Sequence, residues 1–380
     1  MPLARLKAIW LDYMPGTPLE VGIAVLVFSV AALVLVVVGV VARMAAPSPK
    51  PTFSDAYWRE PPGKSVHPAV LGRLLAPRLG DEQFAASVLH LVQHGMLSVA
   101  HRPASDFLPE WFRRRRDPPG TYVVTFLVPR KRGKGAVDAL CLSLLRTARA
   151  AATSGDQMSL RLAARWYGAE GSKDQRRRLY DVDRAWDKAV DEGVKALEKR
   201  LGLRDPRVER LSQVLSVVDL ALGVACLVTF VTLALWYDTF GYCLWGIGPL
   251  ILWVVALALA GNMKRLTQKG SDYRAKGLAY QAWLERFATL GEDLPTDAEL
   301  WERHLAYATA LGVGQKVAVQ LRDGLPQVWD DELIRGRYGW MVPEAGDQPD
   351  RKGRCQTGLD AFVRELAELR AQATPPANDD

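Results

Sequence analysis

Cysteine is scarce in this sequence, and its few cysteines stand far apart. The 380 residues include 4 cysteines, and no two of them form a Cys-x-x-Cys pair. A disulfide framework or a thiolate zinc site is normally visible as closely spaced cysteines. The sequence gives no sign of either, and it predicts neither a metal nor another cofactor.

Motifs of the common hydrolase classes are missing as well. There is no Gly-x-Ser-x-Gly and no His-Glu-x-x-His segment, so the usual nucleophile turn and zinc-protease helix are not encoded. Gly63-Lys64-Ser65 resembles the end of a phosphate-binding loop, but Trp58 occupies the place of that loop's first glycine. We therefore predict that the protein is not an enzyme.

Two histidines have a spacing that could serve a metal. His90 and His94 lie four residues apart, which places both imidazoles on one face of a helix. Zinc proteases use this spacing, but Leu91 replaces the general-base glutamate of their motif. Even with His101 nearby, we favour hydrogen-bonded or solvated histidines over a metal site.

Long apolar runs, by contrast, occur three times. No charged residue lies between Glu20 and Arg43. This run exceeds the core of a signal peptide (about 7–15 residues), which favours an uncleaved anchor over a signal peptide. Because about 20 apolar residues cross a bilayer as a helix, the sequence predicts three transmembrane helices. Their predicted bounds are 21–42, 211–236 and 244–261, and residues 237–243 form the outer loop of the resulting hairpin.

The charges around the hairpin predict its orientation. The loop at 237–243 contains no Lys or Arg, whereas both outer flanks are basic, and basic flanks stay in the cytoplasm. We therefore predict a multi-pass protein of the cell (inner) membrane, with residues 1–20 outside and the bulk of the chain cytoplasmic. The flanking basic residues are Lys199, Arg200, Arg204, Arg207, Arg210, Lys264, Arg265 and Lys269.

Pattern and composition divide the soluble part of the chain. Helical spacing up to Gly95 is followed by two β runs, Met96–His101 and Thr121–Val128, with a basic loop between them. The predicted fold class is a mainly α polytopic membrane protein with a winged-helix-like (α+β) cytosolic module and a helical C-terminal cytosolic region. The predicted soluble segments are a Pro-rich linker at 43–65, the winged-helix-like module at 66–132, helical regions at 133–210 and 262–373, and a disordered tail at 374–380.

A run of four arginines in the predicted wing is the first candidate contact site. Arg113, Arg114, Arg115 and Arg116 follow one another directly. Anionic lipid headgroups attract basic residues near a membrane by about 1 kcal/mol each, and a nucleic-acid backbone attracts them too. We favour a solvated face or lipid contact, with nucleic acid and a protein partner as the weaker alternatives.

Asp219 is the second candidate, because it is the only carboxylate inside the predicted spans. An ionisable residue within a membrane is a functional candidate by default. Asp219 falls near the predicted cytoplasmic start of its span, where a carboxylate costs little. We therefore favour an interfacial residue over an intramembrane polar site.

Three stretches of the chain together resemble a known family. Pro68-Ala69 and the segment Phe84–Leu97 are similar to the pattern Pro-Ala … Leu-Leu-Asp-Leu-Ala-x-x-Gly-Tyr-Leu, and the short hairpin follows. After the hairpin, Tyr307-Ala308-x-Ala310-Leu311-Gly312-Val313 is the most specific stretch. Over residues 50–320 the chain resembles the YciQ-like family of predicted bacterial membrane proteins, a family of unknown function.

The resemblance implies an order of elements and a membrane location, but no activity and no functional residues. Members of the family usually carry a large β-rich domain before the first span, where this chain has 20 residues. In the first motif, His90 and Met96 stand where Asp and Tyr are usual.

We predict a non-enzymatic scaffold or regulator that presents its cytosolic module to a protein partner. A membrane-tethered nucleic-acid binder that uses the basic wing is the first alternative, and a small transporter subunit that uses Asp219 is the second. The partners expected are the lipid bilayer with its anionic headgroups and a cytosolic protein. The sequence leaves the oligomeric state open.

Overall fold

The computed structural model describes residues 19–45, 48–63, 65–103, 120–127, 135–152, 155–236, 247–261, 265–290, 294–345, 347 and 355–373. Most of these residues are helical, and three short strands form one sheet. Contacts divide the chain into two compact units. The first unit contains residues 1–52 and 201–272, and the second contains 53–200 and 273–380.

Helices of the first unit are α1 (Leu19–Ala45), α7 (Pro206–Trp236) and α8 (Ile247–Gly261). Helix α9 (Gln268–Leu284) begins in the first unit and continues into the second. The strands of the second unit are β1 (Leu97–Arg102), β2 (Thr121–Phe126) and β3 (Gln157–Ser159). Its other helices are α2 (Pro68–Leu75), α3 (Gly80–Gln93), α4 (Ala136–Ala152), α5 (Leu160–Ala169), α6 (Lys173–Leu201), α10 (Ala298–Ala310), α11 (Gly314–Gly324), α12 (Pro326–Trp329), α13 (Glu332–Tyr338) and α14 (Leu359–Ala371).

Two helices of the first unit are long and apolar enough to cross a membrane. They are Leu19–Ala42, with a mean hydropathy of 3.1, and Pro206–Trp236, with 2.4. Only 17% and 22% of their most apolar stretches are buried, whereas a core helix of a soluble protein would be mostly buried. Lipid is the solvent that such exposed apolar faces require.

Helix α8 is shorter than the span predicted there. Its 15 residues reach about 22 Å at 1.5 Å per residue, against a hydrocarbon core of about 30 Å. Residues 244–246, where the predicted span begins, lie outside the described part. Helix α8 packs against both α1 and α7, so it belongs to their bundle, and its crossing of the membrane stays a prediction.

The segments at the basic ends of α7 and α8 are bonded to each other. Arg204 and Leu266 form an antiparallel bridge just before α7 and just after α8. The backbone N–H of Asp205 donates to the carbonyl of Arg265 at 3.0 Å. These bonds bring the start of α7 and the end of α8 together, as a hairpin requires.

The segment after α1 joins the same place. The hydroxyl of Ser48 accepts the N–H of Leu266 at 3.3 Å, and the N–H of Thr52 donates to a carboxylate oxygen of Asp272 at 2.6 Å. The chain therefore leaves all three apolar helices at one end of their bundle. We name this set of bonded segments the junction, and it consists of residues 48–52, 203–205 and 265–272.

The second unit has one hydrophobic core, to which its helices and its sheet all contribute. The predicted strands form as β1 and β2, paired antiparallel from Leu97 opposite Phe126 to Arg102 opposite Thr121. A third strand, β3, pairs with β2 on its other side and was not predicted. The core also joins residues on either side of the hairpin, such as Trp186 of α6 and Phe362 of α14.

Candidate functional site

An open cleft in the second unit is the first candidate site. The cleft has a volume of about 740 Å³ and lies between α4, α5 and α6. Helix α4 lines it with Ala139, Leu142, Ser143, Arg146, Thr147 and Ala150. Tyr167 of α5 and Gln175, Arg178, Asp181 and Val182 of α6 complete the walls.

The α4 residues in the cleft recur every three or four positions, so they form one continuous face of the helix. The opposite face, which includes Cys141, Leu144, Leu145 and Ala148, is buried in the core. Small side chains line much of the cleft face. The charged side chains of the cleft are Arg146, Arg178 and Asp181, so their net charge is positive by one. The cleft is suited to receive another helix that carries an acidic group.

A cluster of two histidines and an aspartate is the second candidate site. Nε2 of His67 and Nδ1 of His90 each lie 3.0 Å from Oδ1 of Asp138. Three separate elements supply these side chains, since His67 caps α2, His90 lies in the last turn of α3 and Asp138 in the first turn of α4. The carboxylate is 6% exposed, and the imidazoles are 15% and 20% exposed.

Hydrogen bonds define the protonation of this cluster. Nδ1 of His67 accepts the backbone N–H of Ala69 at 3.2 Å, so the neutral ring carries its proton on Nε2 and donates it to Asp138. Burial lowers the pKa of His67 and outweighs the opposing effect of Asp138. Burial acts to raise the pKa of Asp138, but its hydrogen bonds with His67 and His90 outweigh burial and hold that pKa below its usual range. At neutral pH the cluster therefore contains an ionised Asp138 carboxylate that accepts a hydrogen bond from the neutral imidazole of His67.

Cys141 lies one turn along α4 from Asp138, but it does not extend the cluster into a catalytic one. The side chain is fully buried, and burial raises the pKa of its thiol well above the ordinary value. A thiol is nucleophilic as the thiolate, so this cysteine is not activated.

The three histidines considered in the sequence analysis, His90, His94 and His101, have different partners in the structure. His90 joins the cluster, whereas Nδ1 of His94 bonds to the carbonyl of His90 at 2.7 Å. Nδ1 of His101 bonds to Glu344 at 2.8 Å. Sequence spacing missed His67 and Asp138, because they lie 23 residues before and 48 residues after His90. The only local signal was His67 directly before Pro68, at the start of a helix.

Asp219 is buried within the helices of the first unit. It is 1% exposed, and among the described residues neither of its carboxylate oxygens has a hydrogen-bond partner. The indole of Trp253 donates to the backbone carbonyl of Asp219 at 2.6 Å, not to its side chain. Asp219 thus lies inside the bundle, on the same buried stripe of α7 as Gly223 and Cys226.

The basic run Arg113–Arg116 lies outside the described residues, as does Lys64. The assignment of that run to lipid, nucleic acid or protein therefore stays a prediction.

Comparison with known proteins identifies one family. A family model described as the C-terminal domain of a predicted membrane protein (DUF2207) matches residues 54–321. No curated protein and no solved structure matches the chain. The matched region covers most of the second unit together with α7 and α8 of the first. The chain therefore belongs to this family of predicted membrane proteins, as its resemblance to the YciQ-like family implied.

Proposed function

We propose that this protein is a non-enzymatic membrane scaffold or regulator. Its three apolar helices anchor it in the cell membrane with the N-terminus outside. Its second unit, which includes the winged-helix-like module, lies in the cytoplasm and binds a protein partner.

The junction carries the topological part of this proposal. The chain passes from one unit to the other three times, at 52–53, 200–201 and 272–273. Each of these three places lies at or beside the junction. Bonds such as that between Thr52 and Asp272 hold these passages at one end of the apolar bundle. Since that end carries the basic flanks, the second unit belongs on the cytoplasmic side.

The cleft supports a protein partner and suggests its chemistry. The face of α4 that lines the cleft runs from Ala139 to Ala150, about three helical turns, which suits a short helix laid into a groove. Arg146 and Arg178 favour an acidic group on that helix. We therefore assign the cleft to an acidic helical segment of a cytosolic protein.

The two alternatives have less support. The nucleic-acid reading depends on Arg113–Arg116, which lie outside the described residues. The burial of Asp219 supports the hypothesis of a transporter subunit. A single carboxylate offers no relay of polar groups across a membrane, so we retain the scaffold.

Reversing the charge of Arg178 in the cleft is expected to release the partner. Cells that express the full-length protein are cross-linked, and the proteins bound to it are identified with and without nuclease. We expect at least one protein to be captured by the unchanged chain, retained after nuclease, and lost or strongly reduced with Arg178→Glu. The reason is that Arg178→Glu would place a carboxylate against the partner's acidic group.

Arg177 provides the matched control, because it is the neighbouring exposed arginine of α6 and does not line the cleft. Arg177→Glu should capture the same protein as the unchanged chain. Equal loss with both variants, or capture that nuclease abolishes, would contradict the assignment of the cleft to an acidic protein segment.

A further inference from the structure

We propose that His67, His90 and Asp138 form a binding site for a divalent transition-metal ion, with Zn²⁺ as the ion that best suits its donors. The three ligand atoms, Nε2 of His67, Nδ1 of His90 and Oδ1 of Asp138, lie within 4.8 Å of one another. Two imidazoles and one carboxylate, with a fourth position left for water, are a known zinc ligand set.

The distances fit this ion with little movement. Zinc bonds of about 2.0–2.2 Å in a tetrahedral arrangement place ligand atoms about 3.3–3.5 Å apart. In the cluster, each imidazole nitrogen is 3.0 Å from Oδ1 of Asp138. An increase of a few tenths of an ångström in each of these two distances brings them into the zinc range, and the two imidazole nitrogens lie within 4.8 Å of each other.

The electrostatics of the cluster also call for a cation. Asp138 is nearly fully buried, and in the described part of the chain no Lys or Arg lies within ion-pair distance of its carboxylate. Its partners there are the rings of His67 and His90. A buried carboxylate is usually paired with a cation or with a metal.

Metal binding changes one hydrogen bond in a way that can be followed. Coordination through Nε2 moves the proton of His67 to Nδ1, so the N–H of Ala69 loses the acceptor that caps α2. The site thus links metal binding to the first turn of α2. Exchange of the Ala69 amide proton with solvent should become faster in the metal-bound protein.

The test uses the full-length protein in detergent, stripped with a chelator and then titrated with Co²⁺ and with Zn²⁺. We expect one ion per chain, the strong visible absorption of tetrahedral Co²⁺, and its loss on addition of Zn²⁺. His67→Asn and Asp138→Asn should each weaken binding on the order of 100-fold or more, because changes in outer-shell partners alone cost 10–100-fold.

His94→Asn is the matched control, since His94 is the helical partner of His90 in sequence but bonds to a backbone carbonyl in the structure. Its affinity should equal that of the unchanged chain. Circular dichroism and unfolding of the stripped variants identify any that fail to fold, and His90→Gln then replaces such a variant. Binding that is not stoichiometric, that survives His67→Asn and Asp138→Asn, or that is lost only with His94→Asn would overturn the proposal.

Discussion

Replacing Arg370 by methionine is expected to lower the free energy of unfolding of the second unit by about 3–5 kcal/mol, because it removes a nearly buried cation that pairs with three carboxylates. Arg370 is 10% exposed. Its Nε donates to Asp183 at 2.6 Å, its Nη1 to Asp81 at 3.0 Å and its Nη2 to Asp187 at 3.3 Å. The guanidinium also lies over the ring of Trp186 at 5.1 Å.

This arrangement explains why the loss is large. Asp81 belongs to α3, whereas Asp183 and Asp187 belong to α6, so Arg370 of α14 ties three helices together. Burial acts to lower the pKa of Arg370, but the carboxylates raise it above its ordinary value. Without the guanidinium, Asp183, which is 17% exposed, keeps a charge in a poorly solvated place.

The measurement is a urea titration of the full-length protein in detergent, followed by near-ultraviolet circular dichroism. Arg335→Met is the control, because its ion pair with Asp330 is exposed at 70% and 62% and such pairs contribute about 0–1 kcal/mol. Arg370→Lys should fall between the two, since an ammonium keeps the charge but not the fork of donors. Equal stabilities for Arg370→Met and Arg335→Met would show that the network contributes nothing.

Lowering the pH from about 6.5 to about 4 is expected to destabilise the second unit by about 3 kcal/mol through His304 alone, at 1.36 kcal/mol per pKa unit. His304 is 2% exposed, and its Nδ1 bonds to the hydroxyl of Tyr280 at 2.7 Å. Burial, with a smaller effect from Arg303, lowers the pKa of His304 from 6.5 to about 4. In the unfolded chain His304 binds a proton as the pH falls below about 6.5, whereas in the folded chain it binds one only near pH 4. The free energy of unfolding therefore decreases as the pH is lowered through that interval.

Comparison with His304→Gln isolates this contribution from that of the carboxylates. Glutamine keeps a polar group near Tyr280 but does not titrate. Between pH 6.5 and 4 the variant should lose about 3 kcal/mol less than the unchanged chain. The same loss in both proteins would mean that the buried imidazole is not held neutral.

How much of the structure can be predicted from the sequence depends on how far apart in the chain the interacting residues lie. The apolar helices follow from hydropathy, because lipid exposure needs no partner elsewhere in the chain. The strands β1 and β2 follow from β-rich runs bounded by glycine and proline, whereas the three residues of β3 are too few to show alternation. Local patterns therefore predict elements well and pairings poorly.

The sites show the same limit. Arg370 has the spacing of a solvated charge on an amphipathic helix, and only the fold reveals that Asp81 and Asp183 surround it. His67 and Asp138 meet because α2, α3 and α4 converge, and no spacing in the sequence encodes that convergence. The helical pair His90 and His94 was visible in sequence, but the structure gives His90 other partners.

The measurement that tests the central claim most directly is the labelling of single introduced cysteines in sealed vesicles of opposite orientation. Lys188→Cys reports on the second unit, since this side chain is 77% exposed, and Asp238→Cys reports on the predicted outer loop. Cys243 and Cys355 are first replaced by serine, while Cys141 and Cys226 are buried. A membrane-impermeant maleimide should label Asp238→Cys in right-side-out vesicles and Lys188→Cys in inside-out vesicles. Labelling of Lys188→Cys in intact right-side-out vesicles would contradict the proposed cytoplasmic location of the second unit.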